Sequence, residues 1–226
     1  MSHRIPRTSV RHATAAVVAA AALLAASAPA VATPAAPPAG AGHTGTYTQL
    51  RPLTVLSAER LATADLVAAA KWGTTSPIDD PAREQVVLDT VRQQASAAGA
   101  DPEATVRIFR DQIEANKLVQ RGLHSLWTAD PSRAPSRRPD LTEVRKEINR
   151  INTALVSAIA GSESARSAEH CRGVLALSAL RVRHEKRLDR LHTVALIRAV
   201  PSVCGDTDDC AGAGRTGTSG PLPRAP

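Results

Sequence analysis

Aromatic side chains are nearly absent: one phenylalanine, one tyrosine and two tryptophans make up 2% of the chain. That scarcity excludes a platform on which successive bases of single-stranded nucleic acid stack. Strand patterns are missing as well. No apolar–polar alternation lies between turn signals, so the fold class is all-α. No cysteine or histidine spacing resembles a metal site. His184 and His192, eight residues apart, are expected on a solvated face. No nucleophile–base pair stands out.

What the chain does have begins with a targeting segment. Arg4, Arg7 and Arg11 form a basic start, residues 13–26 are an apolar run, and Ala30-Val31-Ala32 supplies a small-x-small cleavage pattern. The run is too short and too rich in alanine for a good membrane span. Residues 1–32 are therefore expected to be a cleaved export signal, leaving no stable membrane anchor. They hold those three arginines and no acid, so their removal takes the formal charge from +7 to +4. That is a modest footprint for nucleic acid, and none is expected as a partner. An exported chain meets an oxidising environment, and three cysteines are present. Cys171 and Cys204 bracket a helical segment and are the preferred pair. Cys204–Cys210 across a short loop is the rival.

Residues 33–49, rich in alanine, proline and glycine, read as a linker. The folded domain is expected over residues 50–204, and residues 205–226 as a polar tail. Within the domain a first helix is predicted over 53–72, with Leu53, Leu56 and Val67 on its apolar face. A second begins at Asp80-Pro81 and runs to about 98, with Val86, Val87, Leu88 and Val91 inward. A third is capped by Asp101-Pro102. A fourth starts after Asp140, with Leu141, Val144, Ile148, Ile151, Leu155 and Ile159 on one face, and ends at Gly161. Further helix is expected over 164–199, kinked near Gly173, with Arg181, Arg183, Arg187 and Arg190 as a solvated basic face.

The third helix carries the informative stretch. Val106, Phe109, Ile113, Asn116, Gln120, Leu123 and Trp127 follow one another in steps of three and four, which keeps them on one helix face. That face is apolar except for two carboxamides one turn apart, Asn116 and Gln120. A buried amide without a partner costs about 1–3 kcal/mol. Either a hydrogen bond across the bundle or a ligand inside it must meet them. Other helices offer cations on or beside their apolar stripes: Arg60 and Lys71 on the first, Arg83 on the second, Arg145 beside Val144 on the fourth. For each alone, the plainer reading is a side chain that snorkels to water. Taken together they require a counter-charge, because buried cations without partners cost several kcal/mol apiece. A compact dicarboxylate would satisfy them, since arginine grips carboxylates bidentately.

This set resembles the all-helical chorismate mutases, most closely their exported branch. The segments that carry the resemblance are Ala58-Glu59-Arg60-Leu61-Ala62-Thr63-Ala64-Asp65, Ala70-Lys71-Trp72, Asp80-Pro81-Ala82-Arg83 and Phe109-Arg110-Asp111-Gln112-Ile113-Glu114-Ala115-Asn116. The resemblance implies a single-domain bundle of about six helices that rearranges chorismate to prephenate without metal or cofactor. It also implies a homodimer. Arg60, Arg83 and Arg145 would take the two carboxylates, Lys71 and Gln120 the ether oxygen. Asn116 would assist a carboxylate or its bound water, in a place where the family usually has a small hydroxyl residue. Glu84 is the weaker choice for the substrate's ring hydroxyl; the position one turn on is Val87. Cys171 and Cys204 fall where the exported branch has its disulfide, and Arg145 where that branch draws its last arginine from the same chain. The rival from another class is a non-catalytic exported helical module that binds a small anionic ligand or a partner protein.

Overall fold

Four aspartates set where helices begin. Asp80, Asp101, Asp140 and Asp189 each accept a backbone N–H from the first turn that follows. Proline stands in the first turn after Asp80 and Asp101, where its missing N–H costs nothing. The computed structural model describes residues 40–205. Among them the helices are α1 (Gly40–Lys71), α2 (Pro81–Ala97), α3 (Pro102–Ala129), α4 (Leu141–Ala160), α5 (Glu163–Arg166), α6 (Cys171–Glu185) and α7 (Arg190–Ala199), with short 3-10 turns at Pro131–Arg133 and Pro201–Val203. No strand occurs among the described residues. The expected export signal over 1–32 and most of the tail, with Cys210, lie outside them.

Two long helices, α1 and α3, pack against each other and organise the rest. α4 and α6 lie on α1, α7 lies on α3, and α2 bridges α3 and α4. Their shared core holds Leu53, Leu61, Phe109, Ile108, Leu155, Ile159 and Leu196, all essentially inaccessible to water. Each such side chain contributes about 1.5–3 kcal/mol by leaving water. The fourth-helix stripe is as expected: Val144, Ile151, Leu155 and Ile159 are buried, and Gly161 follows the last residue. No described helix is long and apolar enough to cross a membrane.

Several expectations differ from the structure. α1 begins at Gly40 rather than at residue 53, so residues 40–49, expected in the linker, are helical. Pro52 sits inside this helix, where its missing N–H ordinarily costs about 3 kcal/mol. Tertiary contacts offset that. Leu50 is fully buried, the Thr46 hydroxyl meets His170 at 2.9 Å, and Arg51 pairs with Glu185 at 2.7 Å. On α2, Val86 faces outward, and Leu88, Val91 and Ala95 are the buried positions. The last helical segment is three helices, not one kinked at Gly173, which lies within α6. The break between α6 and α7 falls at Arg187, whose φ of 51° is in the left-handed region. Leu188 N–H then reaches back to the Arg183 carbonyl at 3.0 Å, the closure with which helices commonly end.

Cys171, opening α6, is bonded to Cys204, with their Cα atoms 5.9 Å apart and a sequence separation of 33. Closing a loop of that length restricts the unfolded chain by about 3–4 kcal/mol.

His192 is not a surface histidine. Its ring lies between Asp65 of α1, at 2.9 Å, and Asp189, at 2.8 Å, and its side chain is only 12% exposed. The hydrogen bond to Asp65, seconded by that to Asp189, raises its pKa from 6.5 to about 9. The folded state therefore holds the proton more tightly than the unfolded chain. The resulting stability is present in full below about pH 6.5 and is lost as pH rises through about 9. Melting the protein at pH 6 and pH 9.5 checks this. The wild type should lose a few degrees more between the two than His192→Asn does.

Candidate active site

Four helices bring their polar residues to one place. A pocket of about 200 Å³ is lined by Arg60 and Lys71 of α1, Arg83 and Glu84 of α2, Asn116 and Gln120 of α3, and Arg145 of α4. These are the seven side chains that the sequence singles out as site candidates. Val67, Val87, Ile113, Leu141 and Ile148 supply its apolar wall.

Each cation is held differently. Arg60 is the deepest, only 5% exposed. Its Nε donates to Asn152 Oδ1 at 3.0 Å and a terminal nitrogen to the Gln112 carbonyl at 2.9 Å. Both partners are neutral. Burial lowers its pKa to about 10, so it remains charged at neutral pH. Lys71 ends α1 and bends over the following turn, donating to the carbonyls of Pro77 at 2.8 Å and Ile78 at 3.4 Å. Burial, more than any other influence, lowers its pKa, with Asp80 acting in the opposite direction. Arg83 stands in the first turn of α2, where the Asp80 cap holds its backbone N–H at 3.0 Å. Its side chain, like that of Arg145, has no hydrogen-bond partner among the described residues. Arg145 is exposed at the rim. The ion pairs around the pocket belong to Lys117 and Arg121 instead.

The two amides partner each other along α3, and Asn116 also reaches across the bundle to α1. Gln120 Nε2 donates to Asn116 Oδ1 at 2.7 Å, and Asn116 Nδ2 lies 3.4 Å from the Arg60 carbonyl. Gln120 Oε1 is buried and has no hydrogen-bond partner. An orphaned acceptor of that kind costs about 1–3 kcal/mol.

Three contributors escape a reading by sequence. Gln112 extends the amide ladder by one more turn, four residues before Asn116; it is fully buried and donates to Ser57 Oγ at 2.6 Å and the Ala199 carbonyl at 2.9 Å. The four-residue step was the available signal. Asn152 lies on the polar edge of α4 with Asn149, yet only Asn152 is buried and reaches Arg60. Lys117, next to Asn116, also lines the pocket; nothing in its spacing separates it from a surface lysine.

A larger groove of about 760 Å³ runs along α6 and α7. Leu175, Leu180, Leu196 and Ile197 dominate it, and Arg166 on its edge is tied to the carbonyls of Val203 and Ile159. Its lining also includes Arg107, Arg166, Arg172 and Arg183 but, among the described residues, no lysine and no carboxamide, so the smaller pocket, where cations and amides meet, is the candidate site. Cations and amide donors around an apolar cleft, with no nucleophile beside a base, can bind an anion and stabilise charge that develops within it.

Comparison with known proteins agrees with that chemistry. The family described as Chorismate mutase type II matches residues 53–121. The "Secreted chorismate mutase" of Mycolicibacterium smegmatis is 37% identical over 155 residues, 69% of this chain and 86% of that protein. The protein of the same name from Mycobacterium tuberculosis is 35% identical over 156 residues, 69% of this chain and 78% of that one. The crystal structure of a chorismate mutase from Burkholderia thailandensis superposes with a TM-score of 0.67 at 36% identity, covering 70% of this chain and 99% of that one.

Proposed function

This chain belongs to the chorismate mutase type II family, and we propose that the pocket between α1, α2, α3 and α4 is where it holds chorismate. The reaction is an isomerisation within one molecule: the ether C–O bond breaks as a new C–C bond forms, giving prephenate. No proton transfer, nucleophile or metal is needed. The protein has to keep the substrate in its compact chair-like conformer and offset the negative charge that gathers on the ether oxygen. A millionfold acceleration needs only about 8 kcal/mol of differential stabilisation.

The donor inventory suits those tasks. Arg60 spends two N–H groups on Asn152 and Gln112 and keeps three for a carboxylate. Arg83 and Arg145, with free guanidinium groups, complete the grip on the two carboxylates. Lys71 has a third ammonium hydrogen beyond its two carbonyl partners, and Gln120 a second amide hydrogen beyond Asn116. Both are assigned to the ether oxygen. Asn116 steadies Gln120 and assists a carboxylate or its bound water, and Glu84 receives the ring hydroxyl. One observation carries the assignment: Arg60, Lys71, Arg83 and Arg145, from three helices, share one cleft, and none of these four is paired with a carboxylate within it, whereas Lys117 is paired with Glu84.

The test is calorimetric titration with a rigid bicyclic ether diacid that mimics the folded conformer. One molecule per chain should bind, and compete with chorismate. Binding unaffected by loss of Arg83 and Arg145 together would remove the site from this pocket. Export and a homodimeric assembly are proposed alongside. The start of the sequence and the relatives' names support export, and the family resemblance suggests the dimer.

A further inference from the structure

Lys117 is a charged pocket residue to which the proposed rearrangement gives no task. It is 8% exposed and adjoins Asn116 on α3. Its ammonium donates to both carboxylate oxygens of Glu84, at 3.1 and 3.3 Å. It also meets Glu114 at 2.5 Å and Asp79 at 3.3 Å. Asp79 has a second cation in Arg121, at 2.5 Å, and Glu114 is more open to solvent than Glu84. Among the described residues, Lys117 is the cation within salt-bridge reach of Glu84. Burial works against the charge on Lys117, but its hydrogen bonds to Glu114, Glu84 and Asp79 prevail, and its pKa is raised.

Two consequences follow from that geometry. A cation on both oxygens fixes the plane of the Glu84 carboxylate, and with it the direction in which its remaining lone pairs point. It also cancels a negative charge in the wall of a cleft that receives a dianion. A bare carboxylate there would repel the substrate before any chemistry begins, because a partly desolvated site screens like charges poorly.

We propose that Lys117 is a positioning residue for the mutase reaction: it neutralises Glu84 and aims its carboxylate at the substrate's ring hydroxyl. The inference rests on the assignment of Glu84 to that hydroxyl. It predicts a dependence that an ordinary helix-stabilising lysine would not show. Lys117 should matter only while residue 84 carries a charge. A glutamine at position 84 still accepts the hydroxyl's hydrogen bond but needs no counter-ion.

The experiment is a double-mutant cycle, with kcat and KM measured by the loss of chorismate absorbance. Lys117→Met should raise KM about tenfold with a smaller change in kcat, the size expected for one close charge coupling. Lys117→Arg, which keeps the cation, should recover most of the loss; it also carries the test if the methionine variant fails to fold. In a Glu84→Gln background Lys117→Met should cost less than about twofold, because the pair it served is gone. An equal loss in both backgrounds would overturn the role, since Lys117 would then act on the substrate directly or on the fold. A separate arm isolates the underlying assignment. Glu84→Ala should lose activity on chorismate but not on an analogue lacking the ring hydroxyl. An equal loss on both substrates removes Glu84 from the hydroxyl, whatever the cycle shows.

Discussion

Arg83→Ala is expected to cut kcat/KM for chorismate by about 30- to 5,000-fold and to leave the fold intact. The range is that for deleting one partner of a buried charged hydrogen bond, roughly 2–5 kcal/mol. The fold survives because the Arg83 side chain makes no hydrogen bond to the protein among the described residues, and it is the backbone N–H that helps start α2. Arg60→Ala should behave differently. Its guanidinium is a ligand for the substrate in the proposed site, and it is also the partner of Asn152 and of the Gln112 carbonyl. Truncation would strand the Asn152 carboxamide oxygen in the core, at about 1–3 kcal/mol. The expected pattern is loss of turnover in both variants, with a lowered melting temperature in Arg60→Ala alone. Chorismate absorbance and circular dichroism on the same samples measure the two effects. An Arg83→Ala variant that turns over at wild-type rate would take Arg83 out of the substrate's grip.

The second large effect concerns charge at position 120. An amide donates at any pH. A glutamate donates only when protonated, and when ionised it opposes charge building on the ether oxygen. The wild type should therefore show a nearly flat rate between pH 5 and 8. Gln120→Glu should be slower at pH 8 by about 10²–10³-fold, the usual cost of one lost donor at a developing oxyanion, and should recover as pH falls. The sign follows from which form of the carboxyl can donate. A variant as fast at pH 8 as at pH 5 would mean that residue 120 does not meet the ether oxygen.

Much of this site was legible before any coordinates, for a simple reason. Helical periodicity says which residues share a face, and a polar residue on an apolar face must find company. That logic selected Asn116 and Gln120 on α3 and the cations beside the stripes of α1, α2 and α4, and all of them line one pocket. Carried one turn further, it would have found Gln112. The same logic is blind where a residue's role depends on what another helix presents. Lys117 reads as a surface lysine until Glu84 and Asp79 are placed beside it. His192 reads as solvated until α1 brings Asp65 to its ring. The start of α1 was hidden by composition, since residues 40–49 look like linker and are helical because Leu50 and Thr46 are buried against the bundle. The break before α7 was hidden because arginine, not glycine, takes the left-handed position at residue 187.

The most direct check on the whole account is a crystal structure of the protein with the bicyclic ether diacid bound. The account predicts its carboxylates on Arg60, Arg83 and Arg145, and its ether oxygen between the Lys71 ammonium and the Gln120 amide. A ligand seated in the α6–α7 groove, or one in the pocket that leaves those three arginines untouched, would contradict it.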